Sequence, residues 1–255
     1  RILFLSGIDF KEKSIQAIRR TPEGFANRGW NVDYVVTRNI SDTTNYYYEN
    51  ILNPAGVNVY RIFYNIPFYK KIKSNIIRTI FAKIYSIKII LRIKNNALLL
   101  LKKNEYDAIY GYETYGVLAL WLLRITGRTK RSVIIHRFQG TWLTFYLRQN
   151  KIFKLLGNFE FIFALALRAN LCIMTDDGTQ GNAIYKIIHK RMDNFKFWIN
   201  GVDFSLDDNP RERLRKELSL DNHVLILTVS RLERWKRIDR VIDVVSLFCN
   251  KYPDI

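Results

Sequence analysis

Two cations, Arg231 and Lys236, have the residue types and the spacing most suggestive of chemistry in this chain. They follow residues 224–229, an unbroken apolar run typical of a strand buried on both faces. After them, apolar residues recur at helical spacing from Ile238 to Phe248. In open α/β sheets, ligands bind where a strand passes into a helix, and the helix N-terminus adds a positive field. The pair therefore predicts a phosphate or diphosphate site. The alternative is two solvated charges on a surface loop.

The net charge is a second feature with a chemical consequence. The chain has 255 residues, a formal net charge of +18, 48% apolar residues and 25% charged residues. This composition is globular, with enough core for one large domain or two ordinary ones. The charge predicts a polyanionic partner: nucleic acid, an anionic membrane surface or phosphorylated substrates. Cys172 and Cys249 stand far apart without metal-binding spacing, as expected of reduced residues in a cytosolic protein.

Strand and helix patterns alternate along the chain, which predicts an α/β fold with a doubly wound, Rossmann-like parallel sheet. A polar, turn-rich stretch at residues 203–210 marks a boundary. We therefore predict a first domain over residues 1–205 and the beginning of a second Rossmann-like domain over residues 206–255. The chain opens without Met, shows no signal peptide and stops just after a helical pattern, so we expect a truncated piece of a longer protein.

One segment concentrates the positive charge. Residues 50–104 contain no Asp or Glu, and residues 60–103 read as a basic, apolar segment suited to an anionic membrane surface. The alternative is an ordinary helix pair packed on the sheet. Several of the cations are five residues apart, which places them on different faces of a helix rather than on one. The run is too interrupted by charge to span a bilayer. Its eleven cations are Arg61, Lys70, Lys71, Lys73, Arg78, Lys83, Lys88, Arg92, Lys94, Lys102 and Lys103.

Four segments in order resemble motifs of the retaining GT-B glycosyltransferases, glycosyltransferase family four in particular. They are FANRGWNV at residues 25–32, NLCIMT at 170–175, INGVD at 199–203 and VSRLERWK at 229–236. The chain departs from the family pattern at Trp198, Ser230 and Arg237, where the family often has Pro, Gly and Gly, and it has one glycine, Gly7, where many members have a pair. The family's acidic E-x7-E motif is absent because the sequence stops first.

The resemblance implies a nucleotide-diphospho-sugar donor lying between two Rossmann-like domains. Arg231 and Lys236 would hold its diphosphate in place of a metal, with no metal site and no cofactor, and Asn200 and Gly201 would belong to the substrate-binding set. Gly7 would let the backbone approach the donor closely, the alternative being a simple turn glycine.

Two further residues are expected on the acceptor side. His136 ends a predicted strand over residues 132–136, where the family carries a histidine facing the cleft, so it would be catalytic and touch the sugar or the acceptor; a satisfied histidine at a strand end is the alternative. Glu113 also follows a strand and is a candidate for binding acceptor hydroxyls. Asp176 and Asp177 favour capping of the next helix over a Mg²⁺ site. No Ser or Cys has an evident triad partner.

The expected enzyme is a glycosyltransferase of the hexosyltransferase type, with this piece alone inactive. It would transfer a sugar from a nucleotide-sugar to a saccharide or lipid-linked acceptor, with retention, in polysaccharide or glycolipid biosynthesis. It would be cytoplasmic and peripheral at the inner face of the plasma membrane. The alternatives are a basic nucleic-acid-binding module, for which no recognisable motif is present, and a same-fold sugar-nucleotide epimerase or synthase.

Overall fold

The computed structural model describes residues 1–10, 16–40, 53–65, 73–201, 210–220, 224–230, 232 and 236–253. Contacts divide the chain into two units, Arg1–Val202 and Asp203–Ile255. The strands described in the first unit are β1 (Ile2–Ser6), β2 (Val32–Asn39), β3 (Val57–Tyr64), β4 (Ala108–Tyr112), β5 (Val133–Phe138), β6 (Leu171–Thr175) and β7 (Phe195–Trp198). The helices described there are α1 (Gln16–Ala26), α2 (Asn75–Lys103), α3 (Glu113–Ile125), α4 (Leu143–Arg148), α5 (Ile152–Gly157), α6 (Phe159–Ala166) and α7 (Gly181–Ile188).

The strands described form one parallel sheet in the order β3-β2-β1-β4-β5-β6-β7. The chain leaves β1 toward β2 on one side and returns to β4 on the other, so the strand order reverses between β1 and β4. The predicted doubly wound, Rossmann-like sheet is confirmed. In such sheets the crevice outside the carboxyl ends of the strands at the reversal is where ligands bind.

Each face of the sheet has its own core. On one face, α1 packs over β1 and β2, with Phe4 and Tyr34 among the fully buried side chains. On the other face, α2, α3 and α6 cover a larger cluster that includes Leu5, Ile93 and Leu120. Burial on both faces explains why the central strands are continuous apolar runs rather than alternating ones.

The helix α2 is unusual in length and burial. It has 29 residues, and its buried residues, Ile89, Ile90, Ile93, Ala97 and Leu100, all lie in its C-terminal half. A helix of that size is about 44 Å long, whereas a five-residue strand such as β1 spans about 17 Å. The helix is therefore longer than the strands that it covers.

The second unit contains α8 (Pro210–Glu217) and α9 (Ile238–Lys251) among its described residues. The helix predicted from the spacing between Ile238 and Phe248 is confirmed. The strand predicted at residues 224–229 is wrong: these residues have no strand structure and their side chains are exposed. A strand is held by hydrogen bonds to a neighbouring strand, and the described residues of this unit provide none.

Candidate functional site

The candidate site lies at the carboxyl edge of the sheet, where the strand order reverses. Ser6 ends β1 and pairs with Tyr112, which ends β4, so the two strands end at the same level of the sheet. Gly7 follows β1 and Glu113 follows β4. Both were predicted as site residues from the sequence, and the topology brings them to the same crevice.

Glu113 stands in an unusual backbone position. The chain passes from β4 directly into α3 at this residue, whose φ is 56°. Non-glycine residues in this left-handed region are uncommon and cost about 1 kcal/mol or more. The strain is sustained because the helix that starts here is packed tightly on the sheet.

Two glycines permit that tight packing. A Cβ on Gly116, in the first turn of α3, would collide with the main-chain oxygen of Leu5. A Cβ on Gly111, in β4, would lie 2.9 Å from the Cα atom of Val117. The two glycines bring α3 against β1 and β4, and this contact fixes where the Glu113 carboxylate emerges.

The Glu113 carboxylate is half-buried and held by the loop after β5. The main-chain N–H of Gln139 donates to its Oε1 atom across 2.6 Å. Burial raises the pKa of Glu113 to about 7, while the Gln139 N–H and the charge of Arg137 act in the opposite direction. A carboxyl group whose pKa lies near neutrality can either accept or donate a proton there, so Glu113 is suited to binding and polarising a hydroxyl group.

A polar network continues from this loop to the ends of β6 and β7. The guanidinium of Arg137 is buried and donates through one NH₂ group to Thr175 Oγ1 at 2.7 Å and to Asn200 Oδ1 at 3.0 Å. The Thr175 hydroxyl in turn donates to Gln139 Oε1 at 2.9 Å. Within the described structure, Arg137 Nε and Gln139 Nε2 are buried donors without a hydrogen-bond partner. Such donors are costly unless something accepts from them.

Gly7 has a packing reason to be glycine. A Cβ there would lie 2.6 Å from the ring of Tyr115 in α3, and the Gly7 carbonyl accepts a hydrogen bond from the Thr37 hydroxyl at 2.7 Å. The close approach is to a side chain of the same unit. The donor-contacting role of Gly7 stays a prediction.

His136 does not end its strand, and that prediction is wrong. β5 continues to Phe138, and His136 is paired in the sheet with Gly111 and Cys172. The residue is 1% exposed, and burial, with the charges of Arg124 and His189, lowers its pKa to about 4. Because β5 is hydrogen-bonded to a strand on each side, it continues through the polar residues 136 and 137 to Phe138. The change from apolar to polar residues therefore did not mark the end of the strand. The catalytic role of His136 stays a prediction.

Asn200 and Gly201 lie just beyond β7. Asn200 is exposed and receives the hydrogen bond from Arg137, so it belongs to the polar network. Gly201 is exposed, and a Cβ there would meet nothing within 4 Å. The network joins Asn200 to the loop that holds Glu113, whereas no contact of Gly201 with it is found.

The two predicted phosphate-binding cations belong to the second unit. Arg231 lies outside the described residues, and Lys236 is exposed two residues before α9. Arg237, which stands where the family has glycine, adopts φ 53° and pairs with Asp239 at 3.0 Å. The backbone conformation that a glycine would favour is thus present without the glycine.

Asp176 and Asp177 do not cap α7, and that prediction is wrong. The N-cap position is occupied by Gln180, in a left-handed conformation without a side-chain cap. Instead Asp177 accepts hydrogen bonds from the Thr179 N–H at 3.0 Å and from the Thr179 hydroxyl at 2.5 Å. Aspartate favours such local turns for the same reason that it favours caps, because its short carboxylate reaches nearby N–H groups. In the portion of the chain covered by the structure, no cluster of His, Cys, Asp or Glu could hold a metal ion.

A buried ion cluster was missed by the sequence reasoning. Asp9, just after β1, is fully buried and pairs with Arg38 at 3.0 Å and with Arg61 at 3.1 Å. Arg61 was counted among the membrane-facing cations, and for this residue the prediction is wrong, because its side chain is only 10% exposed and pairs with Asp9. A carboxylate directly after a buried strand was the signal that could have revealed the cluster.

Comparisons with known proteins agree with this architecture. No family model and no curated protein matches the chain. Among solved structures, sucrose-phosphate synthase from Thermosynechococcus elongatus matches 97% of this chain and 60% of its own, at 16% identity and a TM-score of 0.60. Apo UGT2 of Phytolacca americana matches 85% of this chain and 55% of its own, at 8% identity and a TM-score of 0.53. The chain therefore spans less than two thirds of both. Both are GT-B glycosyltransferases, and the chain shares the fold of the matched part.

Proposed function

We propose that the protein is a glycosyltransferase that moves a sugar from a nucleotide-diphospho-sugar to a saccharide or lipid-linked acceptor. The observation that carries the proposal is Glu113: a strained, half-buried carboxyl group with a pKa near 7, at the point where the strand order of a GT-B-type sheet reverses. Ligands bind at that point in open α/β sheets. Strained residues with shifted pKa values cluster at functional sites.

The sheet unit supplies the acceptor side in this proposal. Glu113 accepts a hydrogen bond from the reacting hydroxyl of the acceptor, and the buried donors Arg137 Nε and Gln139 Nε2 offer hydrogen bonds to its oxygen atoms. Charge-assisted hydrogen bonds of this kind contribute about 1.5–3 kcal/mol each. In the second unit, Arg231 and Lys236 bind the donor diphosphate and stabilise the charge of the leaving group, with retention at the sugar and without a metal.

The proposed setting is the cytoplasmic face of the plasma membrane, in polysaccharide or glycolipid synthesis. No helix among the described residues is long and apolar enough to cross a bilayer. The proposed attachment is peripheral, through the basic segment of α2.

The test is nucleotide release by the intact protein from a panel of nucleotide-sugars, measured beside a salt-dependent DNA-binding assay. The proposal predicts release from at least one nucleotide-sugar that increases when a saccharide or lipid-linked acceptor is added. Tight DNA binding without any release would support the nucleic-acid alternative instead. Conversion of the donor to an isomeric nucleotide-sugar would identify an epimerase.

A further inference from the structure

The exposed half of α2 projects beyond the carboxyl edge of the sheet. The Tyr85 hydroxyl donates to the carbonyl of Asn65, directly after β3, and the Ser86 hydroxyl lies 2.5 Å from the hydroxyl of Tyr115, the residue that Gly7 faces. Residues 85–86 are therefore level with the crevice. The helix α2 leads from the carboxyl end of β3 to the start of β4, so it runs antiparallel to the strands. Its residues N-terminal to Tyr85 therefore extend beyond the carboxyl edge of the sheet. All described side chains from Lys73 to Phe81 are exposed.

A second segment with the same chemistry lies beside it. Residues 140–159, which contain α4 and α5, include no Asp or Glu and carry Arg148, Lys151 and Lys154. Several of their apolar side chains are exposed, with Phe153 at 90% and Ile152 and Leu156 both at 63%, whereas Leu143 is buried in the core. Because α4 follows the carboxyl end of β5, this segment also lies at the crevice edge.

Lys83 joins the two segments. Its Nζ donates to the carbonyl of Gly157 at 2.9 Å, lies 5.3 Å from the ring centre of Phe159 and pairs with Glu160. That pair neutralises the acid closest to α5. The combined surface presents Ile, Phe and Leu side chains between Lys and Arg residues, without an unpaired carboxylate in either segment.

We infer that the N-terminal half of α2 and residues 140–159 form one surface that docks on an anionic lipid bilayer. Apolar side chains of this kind enter the headgroup boundary, while Lys and Arg contact the lipid phosphates. The cations of α2 do not lie on one face of the helix, which by itself would give a poor membrane-binding surface. The second segment widens the basic and apolar surface, so a single face of α2 is not required.

The position of this surface has a consequence for substrate class, which rests on the proposed function. The docked surface and Glu113 share one edge of the sheet, and the Ser86–Tyr115 hydrogen bond joins α2 to α3, the helix that begins at Glu113. An acceptor carried on a lipid would therefore reach the crevice without leaving the bilayer surface. The acceptor class is accordingly lipid-linked rather than a free saccharide.

The test is sedimentation of the intact protein with vesicles of phosphatidylcholine alone and of phosphatidylcholine mixed with phosphatidylglycerol. We expect binding to the mixed vesicles that weakens as salt is raised, and at least tenfold weaker binding for Ile152→Asp and for Phe153→Asp. The matched control is Ile125→Asp: Ile125 is 66% exposed and ends α3 at the opposite edge of the sheet. It should bind like the wild type, and all three variants should melt like it.

Several outcomes would overturn the inference. These are no vesicle binding by the wild type, equal binding to neutral and anionic vesicles, wild-type binding by both α5 variants, and an equal loss in the control. Self-association that Ile152→Asp abolishes, without vesicle binding, would assign the surface to a second copy of the chain. The vesicles contain no donor or acceptor, so these results are independent of glycosyl transfer, and absence of transfer with binding intact would count against the proposed function alone.

Discussion

The main-chain N–H of Gln139 donates a hydrogen bond to the carboxylate of Glu113 across 2.6 Å, although 26 residues separate them in the chain. This contact links the loop after β5 to the residue that begins α3. It favours the ionised carboxylate, yet burial is the larger effect and raises the pKa of Glu113 to about 7. The site thus holds a carboxyl group that is only partly ionised at neutral pH.

The first prediction follows from this pKa. An acid whose pKa is raised on folding lowers the stability of the folded protein. This cost is absent below the unfolded pKa of about 4.3, grows as pH rises and is complete above pH 7. Glu113→Gln keeps an acceptor for Gln139 without the charge. Relative to the wild type, it should gain up to about 3 kcal/mol of stability between pH 4.5 and pH 8. Urea unfolding at several pH values measures this, and a constant difference across that range would contradict it.

A second prediction concerns the close contact of α3 with β1. Gly116→Ala places a Cβ against the main-chain oxygen of Leu5, which cannot move without disturbing the sheet. We expect a loss of about 2–4 kcal/mol in the free energy of unfolding. Gly157→Ala is the control, because a Cβ there meets nothing within 4 Å and Ala favours a helix. Coincident thermal melts of the two variants would show that the contact between Gly116 and Leu5 leaves room for a Cβ.

His136 yields a prediction of the opposite sign. Its pKa is lowered on folding to about 4, mainly by burial. The contribution of the neutral imidazole to the free energy of unfolding is therefore complete above the unfolded pKa of about 6.5. It is lost as pH falls through 4, by about 3 kcal/mol in all. His136→Gln should flatten that acid limb of the stability curve. An unchanged acid limb would mean that the imidazole is not buried in neutral form.

The two cations of the second unit carry a kinetic prediction. Arg231→Ala or Lys236→Ala should lower turnover of the intact enzyme at least tenfold, which corresponds to about 1.4 kcal/mol of transition-state stabilisation. Arg240→Ala, an exposed cation in α9, is the control and should leave turnover unchanged. Near-normal turnover in both site variants would remove them from the donor site.

Most of the sheet could be predicted because its strands are apolar runs bordered by polar residues. The alternation of strand and helix patterns predicted the parallel sheet that β1 to β7 form. The end of β5 could not be predicted, because Arg137 is polar yet buried, and the groups that satisfy it lie 38 and 63 residues further along the chain. The strand expected at residues 224–229 failed because an apolar run forms a strand only where a neighbouring strand is available.

The site was predicted in part for the same reason. The locations of Glu113 and Gly7 could be predicted, since each follows a strand and strand ends converge at one edge of a parallel sheet, whereas their roles in binding stay predictions. Arg61 was misassigned because its partner, Asp9, lies 52 residues away. The exposure of Phe153 and its neighbours could not be predicted, because an apolar helix in a sequence gives no sign of whether other elements cover it.

The rate of sugar transfer by the intact protein carrying Glu113→Gln measures whether Glu113 acts on the acceptor hydroxyl. We expect transfer from a nucleotide-sugar by the wild type and a rate at least tenfold lower in this variant, since a neutral amide cannot take the proton of the acceptor hydroxyl. Glu105→Gln, which alters a carboxylate that is 96% exposed, should transfer at the wild-type rate. A wild-type rate in Glu113→Gln, or no transfer by the wild type from any nucleotide-sugar, would contradict it.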